Sequence, residues 1–468
     1  MLADSQLRKN VRHATNVITN KRAHVVSELP DWQALRNAGS SIREHVLRHL
    51  DSYLVQFEEA CTRAGGHVHW AADADEANRI VVSLVQAHSA TEVIKIKSMT
   101  TEEIELNHAL QDAGIRAVET DLAELIIQLG HDRPSHIVVP ALHKNRQQIR
   151  DIFEREMHLP GLDSQPETLT AAARSHLREK FLRVPVAISG ANFLVANTGS
   201  VCIVESEGNG RMCLTLPKVL ISIAGIEKVI PRFEDLEVFL QTLPRSATGE
   251  RMNPYNSLWT GVHENDGPEE FHVVLLDNGR SRILADRESR QTLKCIRCAA
   301  CQNVCPVYRQ TGGHAYGSVY AGPIGAILTP QLKQLEQAAS LPYASSLCGA
   351  CYEVCPVEIN IPEVLIHLRG KVVRKEQESL GGQLGAWNLG MQVAAAIFAS
   401  GDRLGLAQML GRIGQLPFVS ASGYIEHLPF MLAGWTQTRD LAPLPKQSFR
   451  QWWAERNGAG NHNSGGDQ

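Results

Sequence analysis

No stretch of this chain is apolar for long enough to cross a bilayer. The longest such run near the C-terminus, residues 393–399, falls far short of the roughly 20 residues a spanning helix needs. Any membrane contact is therefore expected to run through a partner. Arg8, Lys9 and Arg12 stand near the N-terminus, but no apolar segment follows them, which argues against a secretory signal and for a cytoplasmic location. A disulfide framework is then also disfavoured. The net charge of −4 gives no electrostatic case for nucleic acid. No phosphate-binding G-x-x-x-x-G-K-[ST] occurs, and no G-x-G-x-x-G falls between a strand and a helix, so nothing supports flavin or nicotinamide binding. Aromatic residues are scarce at 6%, yet a hydrophobic content of 43% can fill ordinary cores. A length of 468 residues leaves room for two or three domains.

What the chain does have is patterned cysteine. Seven of its ten cysteines fall in two short runs. The first is Cys295, Cys298, Cys301 and Cys305 followed by Pro306; the second is Cys348, Cys351 and Cys355 followed by Pro356. The first has the C-x2-C-x2-C-x3-C-P spacing of bacterial ferredoxins, in which the fourth cysteine serves the other cluster. Three thiolates two residues apart wrap one cluster, and the proline after the fourth turns the chain out of the loop. Crossed ligation assigns Cys295, Cys298, Cys301 and Cys355 to cluster one, and Cys305, Cys348 and Cys351 to cluster two. These clusters read as 4Fe-4S, and they point to electron transfer.

Cluster two is one thiolate short. The cysteine expected three residues before Cys348 is replaced by Ser345. A three-iron cluster, a ligand other than cysteine (Ser345 or His314 among the candidates) and an open iron site all remain in play. Zinc is the main rival metal, but seven cysteines in this order fit it poorly. Cys61, Cys202 and Cys213 lie far from both runs and read as core residues.

Upstream of the cysteines, helical and strand-like patterns alternate, implying a largely parallel sheet covered by helices. An amphipathic helix carries Ile42, Val46, Leu47, Leu50, Leu54 and Phe57 and ends at Gly65 and Gly66. Strands are expected at residues 79–85, 93–96, 116–119, 136–139, 184–188, 200–205, 213–216, 219–223 and 272–276, and helices near 101–113 and 121–129. Gly208, Asn209 and Gly210 suit a hairpin turn. Between the cysteine runs, Gly312, Gly313, Gly317, Gly322 and Gly325 suggest a flexible lead-in to a helix at 331–340, and Pro362 opens another helix.

The order of these parts resembles the lactate utilization protein B family, iron–sulfur subunits of a bacterial L-lactate oxidation system. Residues 97–103 (KSMTTEE), 197–200 (NTGS), 219–225 (VLISIAG) and 261–268 (GVHENDGP) carry the likeness to the LUD domain. The resemblance implies an α/β LUD domain akin to the CoA-transferase and ribose-phosphate-isomerase group. An α-helical ferredoxin-type two-cluster domain and a helical C-terminal region would follow. The expected limits are an N-terminal helical extension over 1–40, the LUD domain over 41–285, the cluster domain over 286–375, the C-terminal region over 376–457 and a disordered tail over 458–468. It further implies non-catalytic electron transfer in oxidising L-lactate to pyruvate, beside a cysteine-rich subunit and a second LUD-type subunit, with the downstream acceptor unknown. Three cysteines in the second run belong to the family pattern itself, so Ser345 is no departure.

Within the LUD half the signals thin. Glu205, at a strand end, has the position of a transferase-like nucleophile but reads more simply as a carboxylate facing water. His143, Lys144, Asn145 and Arg146 could bind an anion beyond a strand, or start a charged helix. Lys97 and Ser98, with Thr198, Gly199 and Ser200, could line one cleft. His263, Glu264, Asn265 and Asp266 favour a loop over a metal site. A competing function is a 2-hydroxy-acid oxidoreductase with substrate in the LUD cleft; a transferase with redox-sensing clusters is a third. Arg297 should raise the potential of cluster one. In the C-terminal region, Leu384, Trp387, Leu389, Met391 and Val393 form an apolar face that suits either a core or a partner, and Trp435, Trp452 and Trp453 suit an interface.

Overall fold

The computed structural model describes residues 4–378, 385–429 and 432–460. They form two compact units, divided between Val372 and Val373. The first unit holds a six-stranded sheet in which every pairing is parallel: β1 (His67–Ala71), β10 (Glu270–Leu276), β7 (Val219–Gly225), β4 (Val186–Ser189), β2 (Glu92–Lys95) and β3 (Arg116–Glu119), in that spatial order. A second sheet orders β8 (Val229–Ile230), β5 (Phe193–Val195), β6 (Ser200–Glu205) and β9 (Tyr255–Trp259).

The sequence of β7 explains its central place. All seven of its residues are buried, the near-continuous apolar run expected of a parallel strand covered on both faces. Side chains alternate across such a strand, and two cores divide accordingly. Leu220 and Ala224, with Val273 and Leu275 of β10, join one core with Phe57 and Phe153. Val219, Ile221 and Ile223, with Val274 and Leu276, join the other with Val81, Val85 and Leu106. A turn at Gly199 (φ +69°) links β5 to β6, and a Cβ there would collide with the backbone of Cys61. That close approach requires glycine.

Several expected strands are helical or irregular. Residues 79–85 lie in helix Ala74–Ala87, capped by the Asp73 side chain, with Ala77, Val81 and Val85 buried four residues apart. Residues 213–216 belong mainly to helix Asn209–Thr215, which Gly208 starts in a left-handed conformation (φ +84°), so no hairpin forms there. Residues 136–139 form no strand: His136 Nδ1 accepts the N–H groups of Val138 and Val139, while Nε2 meets Asn303 Oδ1 at 3.1 Å. The amphipathic segment is two helices, Trp32–Arg48 and Leu50–Arg63, separated at His49. Between the cysteine runs, helix Gly322–Leu332 stands where a flexible lead-in was expected, and 331–340 holds only its last two residues and a short 3-10 turn, Leu335–Ala338. The helix expected to open at Pro362 is present as Ile361–Gln377.

The N-terminal helix Ser5–Ser27 packs on the short helices Ala300–Val304 and Pro306–Thr311. Arg22 donates to the Val354 carbonyl at 3.0 Å, and Arg36 donates to the Cys355 carbonyl at 2.9 Å. These contacts buttress both cysteine loops.

In the second unit, helices Ala386–Phe398 and Gly401–Gly414 pack together. Trp387, Leu389, Met391 and Val393 are exposed, as are Trp435, Trp452 and Trp453. The apolar face is thus not a core stripe; Leu384 and the tail from 461 lie outside the described residues.

Candidate metal centre

The cysteine loops owe their shape to left-handed backbone. Arg297 (φ 61°) and Ala299 (φ 60°) flank Cys298, a conformation that is costly for residues bearing a Cβ and is held by the surrounding packing. Cys295 ends the 3-10 helix Arg290–Lys294, Cys301 sits in helix Ala300–Val304, and Cys305 caps helix Pro306–Thr311. In the second run, Gly349 (φ 85°) leads into helix Ala350–Glu353, which carries Cys351 and packs on the helix of Cys301. Cys295, Cys298, Cys305, Cys351 and Cys355 are buried, Cys301 is half-buried and Cys348 is exposed; none is in a disulfide.

The thiols meet across the two runs. Burial raises the thiol pKa of Cys298, and Cys355 and Cys295 raise it further. Cys355 is likewise raised by burial and then by Cys295, against N–H groups that lower it. Cys305 is raised by burial and by Cys348, and Cys351 is pushed up to about 12 by burial, Cys305 and Cys348. The last cysteine of each run therefore lies beside the other run. Cys301 stands between the groups, raised by burial, by Cys298 and Cys295, and by Cys351 and Cys355.

This donor set suits anionic metal–thiolate centres. The N–H groups of Arg297, Tyr308 and Ile359 are aimed at the sulfurs of Cys295, Cys305 and Cys355, at 3.4, 3.5 and 3.4 Å. Donors to sulfur stabilise thiolate and tune a bound cluster. Cations gather too: Arg22 acts on Cys298, Arg36 on Cys355, and Arg43 is influenced by Cys295. Burial pushes Tyr316 up, and Cys305 beside it adds to the rise.

Both candidate non-cysteine ligands already have hydrogen-bond partners of their own. Ser345 Oγ accepts the Leu347 N–H at 3.1 Å. His314 Nε2 donates to the Arg133 carbonyl at 2.7 Å, and its ring packs on His143. His143 is itself buried between Asp132 and Ser135, and Asn145 caps helix Arg146–Glu156, so this segment is a helix start without a strand before it. Cys61, Cys202 and Cys213 are core residues, fully buried.

The first cysteine loop abuts the six-stranded sheet through a set of buried charges. Glu103 takes Arg280 in two bonds of 2.8 and 2.9 Å and accepts the Tyr320 hydroxyl at 2.6 Å. Arg280 also donates to Glu227 at 2.6 Å, and Arg297 reaches the other Glu227 oxygen at 3.2 Å while lying 4.9 Å over the Tyr320 ring. Arg43 donates to the Glu227, Val229 and Leu293 carbonyls. Burial alone would raise the Glu227 carboxyl, but Arg280, Arg297 and neighbouring cations hold it at about 2.

Beside this joint lies a cavity of about 250 Å³ whose lining includes Lys97, Ser98, Asp121, Glu205, Lys228 and Arg297. Lys97 and Ser98 therefore do line a cleft. Thr198 and Ser200 instead bond to each other at the β5–β6 turn. Glu205 does not face water: it accepts N–H groups of Gly208, Gly210 and Arg211 at 3.1, 2.9 and 2.7 Å, closing the start of helix Asn209–Thr215. That is a capping role. His263 Nε2 donates to the Thr260 carbonyl at 2.9 Å, within a turn closed by Asp266.

Two family models match this chain: the LUD domain over residues 54–276 and the 4Fe-4S dicluster domain over residues 291–359. Lactate utilization protein B from Bacillus thuringiensis (strain Al Hakam), Bacillus cereus (strain AH187) and Bacillus anthracis (strain A0248) is in each case 42% identical over 471 aligned residues, covering 100% of this chain and 96% of the relative. The chain belongs to the lactate utilization protein B family. Its fold is accordingly a LUD domain with a parallel α/β sheet, a 4Fe-4S dicluster domain and a helical C-terminal region, and the dicluster match implies two iron–sulfur clusters. A solved DUF162 family protein from Deinococcus radiodurans covers 48% of this chain and 98% of its own, at 11% identity and a TM-score of 0.28. A likeness that slight says nothing about the fold. Among the described residues no helix is long and apolar enough to cross a membrane.

Proposed function

We propose that this protein carries electrons in the oxidation of L-lactate to pyruvate, as a non-catalytic iron–sulfur subunit. Cys295, Cys298, Cys301 and Cys355 would hold one four-iron cluster, and Cys305, Cys348 and Cys351 the second. The observation that carries this reading is the exchange between runs, in which Cys355 lies with Cys295 and Cys298, and Cys305 with Cys348 and Cys351. Bound clusters supply one-electron carriers. The chain's part is to hold the thiolates, direct N–H groups at them and surround them with Arg22, Arg36 and Arg43.

With three cysteines, the second site would hold either a three-iron cluster or a four-iron cluster with an open iron. The name of the Bacillus relatives supports lactate utilization. Partner subunits, one cysteine-rich and one of the LUD type, would complete a lactate-oxidising complex. The exposed apolar face of Trp387, Leu389, Met391 and Val393 supports docking to such a partner. A cytoplasmic location, with any membrane contact made through those partners, fits this reading.

Anaerobic reconstitution followed by iron and acid-labile sulfide counts and EPR tests the proposal. About eight irons with two interacting reduced signals fit two four-iron clusters; about seven with an oxidised three-iron signal fit the three-iron variant. Zinc without sulfide would overturn it.

A further inference from the structure

The cavity beside the first cysteine loop is lined by two buried basic groups with hydrogen-bond donors to spare. Lys228 is 6% exposed, and among the described residues its Nζ has no hydrogen bond or ion pair. The Arg297 side chain is 9% exposed; Nη2 is taken by Glu227, but Nη1 is buried with no partner. Both residues line the same space. Buried donors left without an acceptor are costly, and a bound anion would accept from both.

The cavity also limits what the anion can be. At about 250 Å³ it has ample room for a three-carbon acid. Its wall carries Asp121, Glu205 and Glu207 as well. Burial raises Asp121, and raises Glu207 to about 6, so these carboxyls sit in surroundings that resist further negative charge. A doubly charged phosphate is disfavoured there, whereas a singly charged acid with a hydroxyl or oxo group can pair its carboxylate with the cations and its oxygen with the polar wall.

We propose that Lys228 and Arg297 form a binding site for a small 2-hydroxy or 2-oxo monocarboxylate in the LUD cavity. The choice of acid rests on the lactate reading; the anion site itself does not. The Arg297 guanidinium interacts with the Cys295 sulfur, so an anion bound to it reduces the positive charge next to that sulfur. Occupancy should therefore lower the midpoint potential of the adjoining cluster.

Calorimetric titration of the reconstituted full chain with L-lactate, pyruvate and inorganic phosphate tests this, alongside redox titration with and without the acid. Saturable one-to-one binding of lactate or pyruvate is expected, at least tenfold weaker in Lys228→Met and retained in Lys228→Arg. One cluster midpoint should fall in the wild type on binding, a readout that needs no variant. Absence of saturable binding, preference for phosphate, or binding that leaves both midpoints unmoved would each overturn the site. Iron and sulfide counts made on the same sample separate this failure from failure of the electron-transfer reading.

Discussion

Replacing Glu227 by glutamine should loosen the joint between the LUD sheet and the first cysteine loop. The carboxylate is fully buried and faces Arg280 and Arg297. Its pKa is held at about 2 against an ordinary 4.5, and at about 1.4 kcal/mol per unit that depression corresponds to roughly 3 kcal/mol. Removing one partner of a buried ion pair costs about 3–5 kcal/mol by mutational precedent, which agrees. For the unit ending at Val372, a loss of that size lowers the melting temperature by roughly 4 °C. The sign follows from the depressed pKa: the contribution is complete above pH 4.5 and fades as pH falls toward 2. Melts of wild type and Glu227→Gln should therefore differ most at neutral pH and converge in acid. A variant melting within 1 °C of wild type at pH 7, or losing stability in acid as steeply, would refute the reasoning.

Other expectations are shorter. Arg297→Gln removes a cation beside Cys295 and should lower the midpoint of one cluster; unchanged midpoints in a redox titration would dismiss that role. Gly199→Ala must place a Cβ at φ +69° against the Cys61 backbone, so it should depress soluble yield and melting temperature, and a wild-type melt would count against the register of the β5–β6 turn. Cys351→Ala should cost one cluster by iron count, whereas Cys61→Ala should keep full iron and lose about 1 kcal/mol of stability. Loss of iron in the Cys61 variant would mean that the cysteines have been sorted wrongly.

The strands expected at residues 116–119 and 200–205 match β3 and β6 in full. The run at 79–85 misled because a helix buried along one stripe can be as apolar as a strand over seven residues. Residues 213–216 failed for the same reason. The cysteine spacing made the loops readable, since ligand geometry is local. The charged joint was not readable, because Glu103 and Arg280 lie 177 residues apart, and Glu227 and Arg297 lie 70 apart. Lys228 gave no signal of its own: a single lysine after an apolar strand looks like any solvent-facing end, and only the fold puts it in a cavity.

The N-terminal helices impose an order on biogenesis. Arg22 and Arg36 are made long before their carbonyl acceptors at Val354 and Cys355, which lie 332 and 319 residues later. Contacts that distant close late. The loops that would receive iron thus reach their final shape only after the second cysteine run has been made, which places metal loading after that point in synthesis. An affinity tag or truncation at the front of the protein would then be felt first as poor iron content.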